Sequence, residues 1–246
     1  MVQDLHTHTI FSDGIDNVAR MSQYAYQHNI QIGISDHILC KKMCDKSSII
    51  KYFKTLDEYP VLKGAEIDLG ETGALDDYVI DNSDYIIGSI HNIRMNGENI
   101  KFGKYFDSRA GEQILNRYFV FNDNTCCKAL ENILLVIRKE LTTNPIDILG
   151  HCTVNPFYEQ VNSKYKYEWE QELITLCKST QTAIEISGLW MEPSIDFIKR
   201  AIDRKVKVTF GSDCHELYSD KYFDYYSFIF HELGLSKRDV KRIGKR

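Results

Sequence analysis

Histidines and carboxylates in this chain fall in small groups whose spacings suit metal binding. His6, Thr7 and His8 make an HxH pair. In an extended segment residues i and i+2 point to the same side, so both imidazoles can meet one ion. Asp36 with His37, Asp213 with His215, and the separate His91, His151, Glu66 and Glu185 add further donors. Taken singly, HxH, DH, GH or DxH is more often a chance pair than a ligand pair. The joint order is the stronger signal: six of the eight histidines close short apolar runs, whereas His28 and His231 lie in stretches of helical spacing and read as ordinary surface or packing residues. Imidazoles suit Zn, Fe and Mn, while carboxylates add hardness, neutralise charge and can bridge two ions. Such a cluster acidifies bound water, so the expected chemistry is hydrolysis by a metal-bound hydroxide.

These donors are far apart in the chain, and the apolar runs before them say what brings them together. Residues 2–5 lead to His6 and His8, 30–34 to Asp36 and His37, and 61–65 to Glu66. Residues 85–90 lead to His91, 146–149 to His151, 182–184 to Glu185, and 206–210 to Asp213 and His215. The runs are short, β-branched and aromatic, as strands are. Between them lie stretches of helical spacing at 17–28, 47–58, 111–141, 165–178 and 194–204. Alternating strands and helices imply a parallel sheet. An open doubly wound sheet gathers ligands at one switch point, whereas a (β/α) barrel brings side chains from nearly every strand end to its mouth, so an α/β barrel of seven strands is expected. Aromatic residues crowd the segment 218–230, and their three- and four-residue spacing predicts a helix packed on the barrel.

With 43% hydrophobic residues in 246, the chain can bury a large core, and no repeat, low-complexity tract or proline-rich stretch marks a linker, so residues 1–246 read as one domain. A formal charge of −5 argues against a nucleic-acid coat. No apolar run approaches the roughly 18 residues of a membrane span, and the opening residues have neither a basic nor an apolar leader segment, so the cytoplasm is the default. Seven cysteines without a CxxC pair argue against a disulfide framework and a zinc ribbon. Cys40 and Cys44 read as buried fillers, and Cys152 and Cys214, beside His151 and His215, read as turned away from the site.

The segments HTHTIFSDG at 6–14, ISDH at 34–37, GAEID at 64–68, GSIH at 88–91, GH at 150–151, EIS at 185–187 and GSDCH at 211–215 resemble, in order, the motifs of the PHP (polymerase and histidinol phosphatase) family. The resemblance spans residues 1 to about 216. It implies a distorted seven-stranded TIM-like barrel with a metal site at the C-terminal ends of its strands, and two to three divalent ions (Zn, Mn or Fe). His6, His8, Glu66 and Asp213 would bind the first ion, Glu66, His91 and His151 the second, and Asp13, His37 and His215 the third. Asp36, His215 and Glu66 are the candidate catalytic residues, with Asp36 and Glu185 as groups that orient histidines, a water or substrate.

The histidinol phosphatase branch is nearest in the segments GSIHNIRMNGENIKF, LNRYF, IDILGH and EISGLW, which makes a small phosphate monoester the expected partner and histidinol phosphate the leading substrate. This chain departs from that branch at Cys152 and Thr153 and in GLWMEPS at 188–194. Arg94 and Arg109, with Lys101, Lys104 and Arg117, are candidates to grip a phosphate from loops at the mouth, and Glu185 to touch substrate. A nucleotide phosphoesterase or 3′-5′ nuclease, an iron-dependent redox enzyme and an idle metal-binding domain are the competing readings. The oligomeric state is left open.

Overall fold

The β-branched runs form the strands of one parallel sheet, in a computed structural model that describes residues 2–40, 42–95, 97–102, 122–217 and 221–245. In chain order the strands are β1 (Val2–Asp4), β2 (Ile30–Ile34), β3 (Leu62–Asp68), β4 (Tyr85–Ser89), a separate antiparallel hairpin of β5 (Asn92–Met95) and β6 (Glu98–Lys101), then β7 (Ile148–Leu149), β8 (Ala183–Ser187) and β9 (Val208–Gly211). Seven of them run in the order β1-β2-β3-β4-β7-β8-β9, each parallel to its neighbour. Residues just past β1 and β9 bring the edges together. Leu5 N–H donates to the Phe210 carbonyl at 3.0 Å and His8 N–H to the Cys214 carbonyl at 2.9 Å. The sheet is thereby a nearly closed (β/α) barrel of TIM-like form.

Helices α1 (Val18–Gln27), α2 (Lys46–Leu56), α3 (Asp77–Asn82), α4 (Asp123–Thr143), α5 (Ser163–Thr180), α6 (Ile195–Asp203) and α7 (Lys221–Glu232) alternate with the strands. Their starts follow side-chain capping: the oxygens of Asn17, Asp45, Asn122, Asn162 and Ser194 accept the exposed N–H groups of the first turn. Four of the five expected helices match within three residues. The fifth, at 111–141, appears as α4, and its residues 111–121 lie outside the described ones. The aromatic helix α7 packs on β9, with Phe223 and Tyr226 rings 4.9 and 4.8 Å from Phe210.

Inside the barrel, Leu5, Leu62, Tyr85, Ile87, Ile148 and Ile243 form a small buried cluster. Tyr85 crosses it and donates its hydroxyl to the Leu5 carbonyl at 2.5 Å. A Cβ at Gly33 would stand 2.1 Å from that hydroxyl oxygen, so β2 requires glycine there. On the outside, the fully buried Tyr52 of α2 sets its hydroxyl 2.8 Å from the Gly64 carbonyl and 3.0 Å from that of Ile34, and accepts Asp36 N–H at 3.1 Å. One phenol therefore ties α2 to β2 and β3, next to the mouth. Among the described residues no helix is long and apolar enough to cross a membrane.

Candidate metal centre

The predicted donors stand at the C-terminal ends of the parallel strands or just beyond them. Glu66 lies on β3; His6 and His8 follow β1, His37 follows β2, His91 follows β4, His151 follows β7, and Asp213 and His215 follow β9. His151 and Asp213 occupy positive φ of 22° and 55°, conformations that cost non-glycine residues energy and persist where surrounding contacts enforce them. Nine side chains converge in four overlapping groups: His8, Asp13, His37 and His215; His6, Glu66 and His151; His6, His8 and Asp213; His37, Glu66 and His91. All nine ligand residues expected from the sequence are in this set.

Glu66 is the hub. Its Oε1 lies 3.3 Å from His6 Nε2, 3.5 Å from His151 Nε2 and 3.6 Å from His91 Nε2. Its Oε2 lies 2.8 Å from His37 Nδ1 and 3.6 Å from His8 Nε2. Asp213 Oδ1 is 3.0 Å from His8 Nε2 and 3.5 Å from His6 Nε2. At the outer edge, Asp13 Oδ2 is 3.3 Å from His215 Nε2 and 3.7 Å from His37 Nε2. Donor atoms bound tetrahedrally to one ion at about 2.0–2.2 Å stand about 3.3–3.6 Å apart, which matches this spacing. Although His37 Nδ1 stands 2.8 Å from Glu66 Oε2, no ring N–H points along a well-formed hydrogen bond to either oxygen of the fully buried Glu66, and His6 Nε2 has no such bond either. Buried polar atoms are almost always satisfied, so these orphans fit coordination to metal ions.

The local field is strongly polarised. Burial draws His6 toward neutrality, but Glu185, Glu66 and Asp213 overcome it and hold the imidazole well above its ordinary range. For His37, burial is likewise outweighed, here by Glu66 and Asp13, and the pKa is pushed up to about 10. Burial opposes ionisation of Glu66, yet His37, His6 and His91 keep its carboxyl well below the usual range, and His6 with His8 does the same for Asp213. Such concentrated acceptors and imidazoles form a cradle for cations.

Three further side chains aim these donors. Glu185 places Oε1 2.7 Å from His6 Nδ1, and its Oε2 accepts His151 N–H at 2.6 Å. A Cβ at Gly211 would fall 1.9 Å from that Oε1, so the glycine of GSDCH leaves room for the carboxylate. Asp68 pairs with His91 Nδ1. Trp190 Nε1–H donates to Asp213 Oδ2 at 2.8 Å, leaving Oδ1 toward the histidines. A carboxylate behind a histidine fixes its ring and tautomer and raises its basicity.

Asp36 is fully buried, and both its oxygens are engaged: Oδ1 accepts from Thr9 N–H, Ser12 N–H and the Ser12 hydroxyl, and Oδ2 from the Thr9 hydroxyl at 2.6 Å. It therefore holds the 9–13 loop that carries Asp13, and does not face the mouth as the expected catalytic position implied. Glu185, expected to touch substrate, is also buried behind His6. Arg94 is exposed on β5, while Arg109, Lys104 and Arg117 lie outside the described residues. Cys152 and Cys214 are buried as expected; Cys44, expected to be a buried filler, is exposed at the turn before α2. Sequence reasoning missed Asp68 and Trp190. Asp68 stands two residues after Glu66 on β3, a same-face spacing visible in the sequence. Trp190 had no such signal.

A nearly closed (β/α) barrel with a His-, Asp- and Glu-rich cluster at the C-terminal mouth defines a class of metal-binding TIM-like proteins. The chain belongs to the PHP family, since the PHP domain matches residues 4–235. No curated protein matches it. Among solved structures it is similar to a Listeria monocytogenes protein provisionally assigned as the histidinol phosphatase HisK, with 17% identity, a TM-score of 0.71, and coverage of 92% of this chain and 99% of that one. It is also similar to the Lactococcus lactis histidinol phosphate phosphatase, solved with Zn, L-histidinol and phosphate, with 15% identity, a TM-score of 0.68, and coverage of 96% and 94%.

Proposed function

We propose that this chain is a metal-dependent phosphoesterase that hydrolyses a small phosphate monoester, with histidinol phosphate the first substrate to test. The observation that carries the reading is the convergence of nine potential donors at the mouth, among them a buried glutamate that meets five imidazoles without a well-formed hydrogen bond to either oxygen. His6, His8, Glu66 and Asp213 would hold one ion, Glu66, His91 and His151 a second, and Asp13, His37 and His215 a third. Divalent ions there supply Lewis acidity toward phosphoryl oxygens and generate a nucleophile from water near neutral pH. The chain's own part is geometric. Glu66 would be shared by the two deeper positions, Glu185 and Asp68 fix the rings of His6 and His91, and Asp36 anchors the loop that presents Asp13. His215 sits at the outer edge, its Nδ1 3.0 Å from the Asp213 carbonyl and its Nε2 toward Asp13, where it is a candidate to meet the phosphate or the leaving oxygen.

Membership of the PHP family and the fold shared with histidinol phosphatases support this reading. The test is elemental analysis of the purified protein, followed by phosphate release from amino-alcohol phosphates, sugar phosphates, nucleotides and short single-stranded DNA with added Mn, Zn or Fe. Two to three ions per chain and turnover of a small monoester are expected. Absence of bound metal together with no activity on any of these esters would refute the proposal, and cleavage of nucleotides or DNA alone would move the substrate assignment.

A further inference from the structure

Ten large apolar side chains are exposed among the described residues, and five of them, Ile10, Ile15, Leu39, Leu189 and Met191, sit in the loops that follow β1, β2 and β8 around the metal centre, each between 39% and 69% exposed. The other five are scattered over β1 and four helices. Single exposed apolar residues need no explanation, but a cluster at one end of a barrel does.

The backbone ties each of the five to the ligand set. Ile15 N–H donates to the His215 carbonyl at 2.8 Å, and Leu189 N–H to the Ser212 carbonyl at 3.1 Å, one residue before Asp213. Ile10 follows Thr9, whose N–H and hydroxyl are held by Asp36, and Leu39 comes two residues after His37. Leu189, Trp190 and Met191 lie in a tight loop closed by the antiparallel bridge between Ser187 and Glu192, with Ser187 N–H donating to the Glu192 carbonyl at 2.8 Å. Trp190 in that loop reaches Asp213 with its indole nitrogen. Two of the five, Leu39 and Met191, are held at positive φ of 58° and 53°. Non-glycine residues in that region are strained, and such strain gathers at ligand clamps and active sites. Here it falls on residues whose apolar side chains face solvent beside the metal ligands.

We infer that, on the phosphoesterase reading above, these loops form an apolar rim that receives the alcohol part of the substrate, so the preferred phosphate monoesters carry a hydrocarbon or aromatic surface next to the ester oxygen. The ions and their ligands hold the phosphate, which is common to all candidates. Discrimination then falls to the rim, and a pocket that buries a methylene favours the longer ester by about fourfold per group.

The experiment uses the metal-loaded full chain and measures kcat/KM for phosphate release from ethyl, butyl and hexyl phosphate and from glycerol phosphate. The three alkanols have similar leaving-group reactivity, so differences along that series report contacts with the organic part, and glycerol, the better leaving group, biases the comparison against the inference. The expected result is a rise of about twofold to fourfold per methylene and a hexyl to glycerol ratio above tenfold. Leu39→Ser and Met191→Ser should each reduce that ratio severalfold, whereas Leu135→Ser, a substitution at an exposed leucine on α4, should leave it unchanged. Binding is read independently from tryptophan emission on titration with hexylphosphonate, since Trp169 is buried and Trp190 is the indole at the mouth. A shift that saturates in the native protein and weakens in Met191→Ser supports the rim. Turnover of all four esters at similar rates, or a ratio untouched by both rim substitutions, would overturn the inference while leaving the phosphoesterase reading intact. Failure to hydrolyse any of them, or any ester of the broader panel, would remove both.

Discussion

Within the cluster the residues divide by what they touch. Glu66 meets five imidazoles through its two oxygens, whereas Glu185 acts behind one of them. Glu66→Ala is therefore expected to remove bound metal and activity together, while Glu185→Gln should weaken metal affinity by roughly 10–100-fold, the usual cost of losing a group that orients a ligand. Gly211→Ala should act in the same direction as Glu185→Gln, because its Cβ would collide with Glu185 Oε1 at 1.9 Å. Metal titration of the three variants checks this, and equal metal retention by Glu66→Ala and native protein would show that Glu66 is not the hub. Eight of the nine candidate ligands were legible in the sequence because they close apolar runs, a relation that survives without knowledge of any contact, whereas Asp13 came only with the family motif at 6–14. Their supporting groups were less so. Asp68 could have been found from its i+2 relation to Glu66, but Trp190 reaches Asp213 only because the Ser187–Glu192 bridge folds its loop back over the mouth.

At the scale of elements, α2 matters out of proportion to its length because Tyr52 satisfies groups on both β2 and β3. Tyr52→Phe should destabilise the fold by about 1–3 kcal/mol, since it leaves buried backbone groups without a partner and no water has access. Urea unfolding would read this as a lower midpoint at an unchanged slope; an unaltered midpoint would mean those backbone groups find other donors. The seven barrel strands were legible from β-branched runs ending in polar residues, including β7, which the barrel completes with only two residues, Ile148 and Leu149. The element α3 was not, because its six residues, Asp77–Asn82, are too few for a helical period to show. The hairpin of β5 and β6 was also missed, although the Asn-Gly pair at 96–97 between two short polar-apolar runs is a hairpin signal.

For the whole molecule, metal binding would be coupled to folding, because the nine donors come from β3 itself and from the loops after β1, β2, β4, β7 and β9 and meet only in the closed barrel. An ion present at about 100 times its dissociation constant should add about 2.7 kcal/mol, or about 5–10 °C in Tm for a chain of this size. That gain has a definite pH dependence. The raised pKa values of His6, His37, His151 and His215 mean that the metal-free fold keeps protons on these four imidazoles, and an ion must displace them. Proton competition weakens metal binding as pH falls. Without metal, the protonated imidazoles stabilise the fold fully below their unfolded pKa of about 6.5, and this contribution is lost as pH rises toward about 10 for His37. Glu66 and Asp213, with depressed pKa values, contribute stability above the ordinary carboxylate range and lose it only in acid, so they do not reverse the trend near neutrality. Both effects have the same sign for the difference between the two forms. The Tm of the Mn-loaded protein minus that of the EDTA-treated protein should therefore widen between about pH 6 and pH 8.5, and thermal unfolding at fixed free metal measures it directly. A difference that stayed constant or narrowed over that range would mean that the imidazoles of the cluster do not hold protons in the metal-free fold, and that metal is bound elsewhere.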